Sequence, residues 1–117
     1  MSNQLAERHC KPGEGGVPPL SAEQAQDLMT ALHPDWQLSA DGSSIRRRFT
    51  FKVYSHSLSF ANTVAWIATN EGHHPVLTIE YGSCGIEYST HAINGLSDND
   101  FICAAKIDRC AATVLHS

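Results

Sequence analysis

The sequence predicts one α+β domain in the order α-β-β-α-β-β-α, with a four-stranded antiparallel sheet and three helices packed on one face. Three segments carry apolar residues at helical spacing, and two pairs of segments alternate between apolar and polar residues. Each alternating pair is interrupted by a short turn that contains glycine, which is the pattern of a β-hairpin. We therefore assign residues 20–117 to a single folded domain.

Composition narrows the class of protein further. The chain has 117 residues, of which 42% are hydrophobic, and this is enough for one domain with a modest core. Its formal net charge of −4 disfavours a general nucleic-acid binder, so we expect no direct nucleic-acid partner. No apolar run approaches the roughly 20 residues of a membrane span, and the N-terminus lacks the features of a signal peptide. We expect a cytoplasmic protein without a membrane partner.

The N-terminal region and the first helix are predicted to behave differently. Residues 1–19 are rich in glycine and proline, and we predict a loose N-terminal arm there. His9 and Cys10 lie in this arm, so we discount them as a metal-binding pair. Ser21 and Gln24 form a capping-box signature that begins the first helix. The apolar stripe of this helix consists of Ala25, Leu28, Met29 and Leu32.

The first hairpin follows that helix. Trp36 and Leu38 alternate with polar residues into a turn at Asp41 and Gly42, and residues 45–51 alternate again. This pattern predicts two antiparallel strands whose inward side chains contribute to the core.

The central helix begins near Ser55 or Ser57 and ends before residue 72. Trp66 lies outside its apolar stripe, and an exposed tryptophan is often a subunit contact. Together with the two edges of a small sheet, this predicts a homodimer or homotetramer. The predicted buried stripe consists of Leu58, Ala61, Val64, Ala65 and Ala68.

The second hairpin is predicted from residues 76–81 and 86–91, which flank a glycine-containing turn. A loop of two or of four residues centred on Ser83 and Cys84 gives the same register, in which Val76 faces His91.

The same register places Glu80 opposite Glu87. A like-charge pair of this kind costs free energy unless a cation lies beside it. Arg46 and Arg48 project from one face of the first hairpin, so we expect one of them near these two carboxylates.

The helix-to-strand corner at residues 71–75 concentrates titratable side chains. Glycine at position 72 can end the central helix in the left-handed conformation, and Pro75 restricts His74 to extended backbone. His73 and His74 are thus held on a stiff corner, and the hairpin returns His91 close to them. Three histidines are predicted to converge at one end of the hairpin.

The last helix begins at a second capping box, Ser97-x-x-Asp100. Of the four cysteines, Cys103 and Cys110 lie in this helix and are interpreted as small buried residues. The chain contains no Cys-x-x-Cys pair, so the sequence supports neither a zinc ribbon nor a redox motif.

The spacing of these residues resembles that of the pterin-4a-carbinolamine dehydratases. The pattern of that family is His-His-Pro, five residues, Tyr or Trp, nine residues, His, and an Asp at least nine positions later. Every spacing holds here, and the resemblance runs from about residue 20 to about residue 112. One position departs: Thr69 stands where the family usually has an acidic or other charged residue, four positions before the first histidine. The matching residues are His73, His74, Pro75, Tyr81, Thr90, His91 and Asp100.

The resemblance implies an enzyme that dehydrates 4a-hydroxytetrahydropterin to quinonoid dihydropterin, recycling the cofactor of aromatic amino-acid hydroxylases. It implies a small-molecule pterin substrate and no cofactor or metal. By the resemblance, His73 and His91 are the acid–base pair, His74 binds and positions the pterin, and Asp100 orients His91. Pro75 and Thr90 are further substrate-binding candidates.

Two other functions are compatible with the sequence. The family includes dimerisation co-activators of a transcription factor, so a protein-binding module is the main alternative. A metal site built from His73, His91 and Asp100 is the third possibility, although neighbouring histidines on extended backbone point apart. Simpler interpretations also exist, since Asp100 is a helix-capping residue in its own right and Tyr81 fits a core position.

Overall fold

The computed structural model describes residues 2–12 and 17–114, and over these residues it confirms the predicted α+β fold. The element order is the predicted one, preceded by one additional helix. The elements are α1 (Ser2–Glu7), α2 (Ala22–Met29), β1 (Gln37–Leu38), β2 (Ile45–Thr50), α3 (Tyr54–Glu71), β3 (Val76–Glu80), β4 (Ser83–Tyr88), a 3-10 turn (His91–Ile93) and α4 (Asp98–Val114).

The four strands form one antiparallel sheet in the order β1-β2-β4-β3. Helix α3 packs against β3 and β4, α4 packs beside α3, and α1 covers α4. The other face of the sheet is open and carries the side chains of Arg46, Arg48, Thr78 and Glu87. The inward side chains of β2 and β4 that form the floor of the core are Ile45, Phe49, Cys84, Ile86 and Tyr88.

The predicted register of the second hairpin is wrong by four positions. Val76 pairs with Glu87 rather than with His91, and the turn is formed by Tyr81 and Gly82. A shift by an even number of residues keeps the same side chains on the core face, so the alternation of apolar residues could not distinguish the two registers. The neighbouring strand decides between them, because the amide of Phe51 donates to the carbonyl of Gly82 at 2.8 Å.

The like-charge pair that followed from the predicted register is therefore absent. Glu80 pairs with Ser83, whose hydroxyl donates to its carboxylate at 3.0 Å. Arg46 lies directly opposite Glu87 on the open face, which confirms the predicted neighbourhood of these two residues. No ion pair joins them within the described part of the chain.

The prediction of a loose N-terminal arm is wrong for residues 2–12. Leu5 and Ala6 of α1 are buried, and Lys106 donates to the carbonyl of Ala6 at 2.7 Å. The few apolar residues of this otherwise polar segment pack helix α1 against the domain. The glycine-rich sequence that suggested a loose arm follows the helix. Residues 1, 13–16 and 115–117 lie outside the described residues.

The buried face of α3 also differs from the predicted stripe. Leu58 is 41% exposed and Ala65 is exposed, whereas Ser57 and Phe60 are buried. A serine can occupy this position because its hydroxyl donates to the carbonyl of Tyr81 at 3.2 Å. The rest of the stripe is as predicted.

Both predicted helix caps are confirmed. Ser21 and Gln24 make the two reciprocal hydrogen bonds of a capping box at the start of α2. At the start of α4, the amide of Ser97 donates to Asp100 at 3.0 Å, and the amide of Asn99 donates to the Ser97 hydroxyl at 3.3 Å. Over the described residues, no helix is both long and apolar enough to cross a bilayer.

Candidate active site

The corner at the end of α3 has the predicted geometry. Gly72 adopts the left-handed conformation with φ 66° and ψ 26°, which glycine reaches without a steric penalty from a Cβ. The amide of His73 still donates to the carbonyl of Ala68 at 3.2 Å, so the histidine is tied to the last turn of the helix. Pro75 is half-buried immediately before β3. The sequence thus fixes the backbone that carries both histidines.

The side chain of His73 points to Asp100. Its Nε2 lies 2.6 Å from Asp100 Oδ1, and the imidazole is largely covered while the carboxylate is completely buried. An ionised carboxylate can only accept hydrogen bonds, so the ring proton in this contact belongs to Nε2. The short distance is that of a charge-assisted hydrogen bond. Such a contact fixes the orientation and tautomer of the ring.

Asp100 is held in place by further donors. The Thr90 hydroxyl donates to Asp100 Oδ2 at 2.8 Å, and the Ser97 amide donates to the same oxygen at 3.0 Å. The Thr90 and Ser97 hydroxyls also lie 2.9 Å apart. Together these contacts compensate for burying a carboxylate, which would otherwise be strongly unfavourable. The helix-capping role of Asp100 and its contact with His73 therefore coexist.

The sequence prediction named the wrong partner for this carboxylate. Among the described residues, the ring that Asp100 contacts is that of His73 and not that of His91. The observed register explains the difference. If the pairing of β3 with β4 is extended past the ends of the two strands, Thr90 lies opposite His73, and His91 lies one residue further along the chain. Asp100 then bridges His73 and Thr90.

Tyr88 supports the His73 ring from the core side. The two rings are stacked with centroids 5.3 Å apart and an angle of 15° between their planes. The Tyr88 hydroxyl donates to the His73 carbonyl at 3.3 Å, and burial raises the pKa of this phenol well above its usual range. Tyr88 remains neutral and acts as a fixed platform for the imidazole.

His91 and His74 are more accessible than His73. His91 begins the 3-10 turn and is exposed, and His74 is exposed at the corner. Within residues 2–12 and 17–114, neither ring makes a hydrogen bond to another protein group. Thr90, in contrast, is buried with its hydroxyl engaged by Asp100 and Ser97. Tyr81 is 69% exposed in the hairpin turn, so its interpretation as a core residue is wrong.

A cavity of about 380 Å³ lies beside His91. Asp41 and Glu87 border it, and hydrogen bonds from the hydroxyls of Ser43 and Ser39 lower the pKa of Asp41 to about 2. Asp41 is therefore ionised at neutral pH. Glu87 also borders a cavity of about 650 Å³ on the open face of the sheet.

Glu71 forms a second charged cluster on the other side of the corner. The Cys10 amide donates to its carboxylate at 2.7 Å, the ring of His9 lies at 3.0 Å and the Lys106 ammonium at 3.6 Å. Burial alone would raise the pKa of Glu71, but the two hydrogen bonds and the Lys106 charge outweigh it and lower that pKa. Glu71 anchors the N-terminal segment to the end of α3.

No group of three His, Cys, Asp or Glu side chains is arranged to hold a metal ion within the described part of the chain. The metal site of His73, His91 and Asp100, which the sequence left as a third possibility, is therefore not formed among these residues.

Sequence reasoning missed the roles of Tyr88 and of the N-terminal segment. Tyr88 was recognisable only as one of several alternating inward residues, and nothing in its spacing indicates that it contacts His73. Cys10 lies next to a glycine-rich stretch, so composition concealed its ordered contacts with Glu71. The contact of Tyr88 with His73 and that of Cys10 with Glu71 each join residues far apart in the sequence, and local sequence patterns do not predict such contacts.

Comparison with known proteins gives a consistent result. Residues 18–110 match the profile of the family described as pterin 4 alpha carbinolamine dehydratase. A protein of Nitrosomonas eutropha with the provisional name pterin-4-alpha-carbinolamine dehydratase is 53% identical over 104 residues, which cover 89% of this chain and 90% of that protein. A protein of Legionella pneumophila with the same provisional name is 43% identical over 109 residues, which cover 93% of this chain and 96% of the relative.

Two solved structures share the fold. A protein of Brucella melitensis, described as a transcriptional coactivator/pterin dehydratase, superposes with a TM-score of 0.73 at 28% sequence identity, covering 80% of this chain and 98% of that protein. A pterin dehydratase-like protein, described as a RuBisCO assembly factor in the alpha-carboxysome, superposes with a TM-score of 0.57 at 20% identity, covering 68% of this chain and 92% of the other. The second likeness concerns the fold alone.

Proposed function

The chain belongs to the pterin-4a-carbinolamine dehydratase family, and on this basis we propose that it converts 4a-hydroxytetrahydropterin to quinonoid dihydropterin and water. The observation that carries the proposal is the hydrogen bond of 2.6 Å between His73 and the buried Asp100. It supplies an imidazole that is held in a fixed orientation against a buried carboxyl group. We place the reaction in the cytoplasm, where it would recycle the cofactor of aromatic amino-acid hydroxylases.

The reaction requires two proton transfers. Hydroxide is a poor leaving group from C4a unless it is protonated, and the proton on N5 must be removed as the C4a–N5 double bond forms. Both transfers need groups that change charge near neutral pH, and histidine is the side chain with that property. No electrons are exchanged, so the chemistry needs no redox cofactor.

His73 and His91 are the proposed acid–base pair. His73 is held by Asp100 on one side and by the Tyr88 ring on another, so its position is fixed before the substrate arrives. His91 is exposed beside the cavity of about 380 Å³ and can reach a bound molecule there. The proposal does not assign which of the two donates the first proton.

The remaining predicted residues take supporting roles. His74 is exposed next to the open face and is proposed to bind the pterin ring, with Pro75 shaping the corner. Thr90 acts through Asp100, since its hydroxyl is buried against that carboxylate. The carboxylates of Asp41 and Glu87 border the His91 cavity and suit a heterocycle that carries N–H donors.

The alternative is a protein-binding co-activator. It is favoured by the description of the Brucella melitensis structure and by exposed apolar side chains, including Trp66 and Val76. A binding module and an enzyme are expected to differ in their effect on the same synthetic pterin.

The distinguishing experiment is a dehydration assay with synthetic 4a-hydroxytetrahydropterin, corrected for the spontaneous reaction. An enzyme accelerates the appearance of the quinonoid product at catalytic concentrations of protein. Product formation at the spontaneous rate, with the protein folded and in excess of the substrate, would contradict the proposed activity.

A further inference from the structure

Two cysteine thiols from opposite ends of the chain meet behind the His73 site. Cys10 Sγ lies 3.5 Å from Cys103 Sγ, although the residues are 93 positions apart. Cys103 is fully buried on α4, and Cys10 is half-buried where the chain leaves α1. We propose that Cys10 and Cys103 form a reversible dithiol–disulfide site that reacts with a low-molecular-weight disulfide such as oxidised glutathione.

The backbone around Cys10 is fixed on both sides of the thiol. The Cys10 amide donates to Glu71 at 2.7 Å. The next residue, Lys11, exchanges two hydrogen bonds with the Asn99 side chain, each 3.0 Å long. Cys10 Sγ also lies 3.6 Å from the Asn99 carbonyl. The two sulfur atoms are therefore neighbours because the segment is docked on α4.

The other cysteines do not offer such a pair. Cys84 is fully buried on the inner face of the sheet, and Cys110 is half-buried two turns further along α4. Among the described residues, no hydrogen bond or short contact joins either sulfur to another sulfur. Of the possible cysteine pairs, the geometry of the described residues therefore favours Cys10 with Cys103.

The oxidation balances as a thiol–disulfide exchange. The Cys10 thiolate attacks one sulfur of the small disulfide and releases one glutathione thiolate, which leaves a mixed disulfide on the more accessible cysteine. Cys103 then loses its proton and attacks Cys10 Sγ, which releases the second glutathione. The protein gives up two protons and two electrons, and the small disulfide becomes two thiols.

The environment makes this reaction slow at neutral pH and faster at higher pH. The hydrogen bond with Cys103, together with burial and the nearby Glu71 carboxylate, raises the pKa of the more accessible Cys10 thiol, and the same hydrogen bond lowers the pKa of the buried Cys103 thiol. Only the thiolate is a nucleophile, so most molecules are unreactive at a given moment. A disulfide in a cytoplasmic protein is usually transient or regulatory, which fits a slowly formed and reversible bond.

The bond would attach the N-terminal segment covalently to α4, the helix that carries Asp100. Cys103 lies one turn after Asp100, and Cys10 is tied to Glu71 at the end of α3. Closing a loop of about 90 residues restricts the unfolded chain, and the expected rise in the unfolding temperature is about 10 °C.

The test equilibrates the full chain with glutathione buffers of increasing oxidised fraction, followed by acid quenching, alkylation of free thiols in denaturant and mass spectrometry. We expect two of the four cysteines to escape alkylation, a peptide that links Cys10 to Cys103, and the higher unfolding temperature. Cys10→Ser abolishes all three results. Cys110→Ala, which also alters a half-buried cysteine on α4, leaves them unchanged.

Two results would overturn the proposal. One is complete alkylation of all four cysteines after equilibration with excess oxidised glutathione. The other is a stable glutathione adduct on Cys10 without the link to Cys103. Cys10 lies outside the helices, and the Cys10→Ser variant keeps the backbone amide that donates to Glu71. The comparison of Cys10→Ser with wild type therefore tests the proposal even if a Cys103 variant fails to fold. None of these measurements depends on the dehydratase assay.

Discussion

Asp100 Oδ1 and His73 Nε2 lie 2.6 Å apart, and the carboxylate is completely buried beneath the ring that it contacts. The same side chain caps α4 by accepting from the Ser97 amide. One residue thus joins the start of the last helix to the His-His-Pro corner. Asp100 therefore has two roles, as a cap of α4 and as the partner of His73.

The two roles of Asp100 can be separated by a pair of variants. Asp100→Asn keeps the shape but replaces the carboxylate that orients the His73 ring by a neutral amide, so turnover should fall by about 10² to 10⁴. Ser97→Ala removes a capping hydroxyl at the same helix end and should cost about 0.5 to 2 kcal/mol of stability with little change in turnover. Rates are measured at a temperature where both variants are folded. Equal losses of activity at matched stability would mean that capping alone explains Asp100.

Thr90 provides a test of positioning against substrate binding. Thr90→Val removes the hydroxyl that donates to Asp100 while it preserves the volume. The buried Asp100 Oδ2 then keeps the Ser97 amide but loses its second donor, which should cost about 1 to 3 kcal/mol of stability. Because the hydroxyl acts through Asp100, kcat should fall and KM should change little. Steady-state kinetics with the synthetic pterin distinguish positioning from substrate binding. A rise in KM at constant kcat would indicate direct contact with the substrate and contradict the prediction.

Glu71 gives a prediction about stability and pH. Its folded-state pKa lies below the value of 4.5 for an unperturbed carboxyl, so the unfolded chain binds more protons at acidic pH. The stability contributed by the ionised carboxylate is complete above that value and is lost as the pH falls through the folded-state pKa. Glu71→Gln should destabilise the protein by about 1 to 3 kcal/mol at neutral pH. Denaturant unfolding from pH 7 down to pH 3 should show the difference shrinking, and a constant difference would contradict the assignment.

The assembly state remains a prediction. Trp66 is 68% exposed on α3, and Val76 on the edge strand β3 is 54% exposed. Large apolar side chains and an unpaired strand edge favour association. Sedimentation should give a dimer or tetramer, and Trp66→Ser should shift the equilibrium toward smaller species. Wild-type protein that sediments as a monomer at micromolar concentration would refute the prediction.

Local patterns were sufficient for the elements and for the corner that holds the histidines. The capping boxes, the left-handed Gly72 and the alternation in the strands are each encoded within a few residues. Hairpin register is different, because the predicted and observed pairings bury the same side chains. The choice between them depends on β2, which pairs with β4 and accommodates Gly82 beside Phe51.

The partner of Asp100 could not be predicted for the same reason. The sequence indicated a histidine near Asp100, and the four-position shift in register makes it His73. The N-terminal segment depends on contacts across about 90 residues, such as Cys10 with Asn99 and Cys103. The glycine- and proline-rich composition of the N-terminal region does not indicate those contacts.

The most direct test of the catalytic account is stopped-flow dehydration of synthetic 4a-hydroxytetrahydropterin by wild type, His73→Ala, His91→Ala and the double variant. Each single replacement should lower turnover by about 10² to 10⁴, and the losses should be far from additive because the two groups serve one reaction. His74→Ala serves as the neighbouring control and should mainly raise KM. In the wild type, kcat/KM should bend between about pH 5 and 8. A folded double variant that retains wild-type turnover would contradict the proposed mechanism.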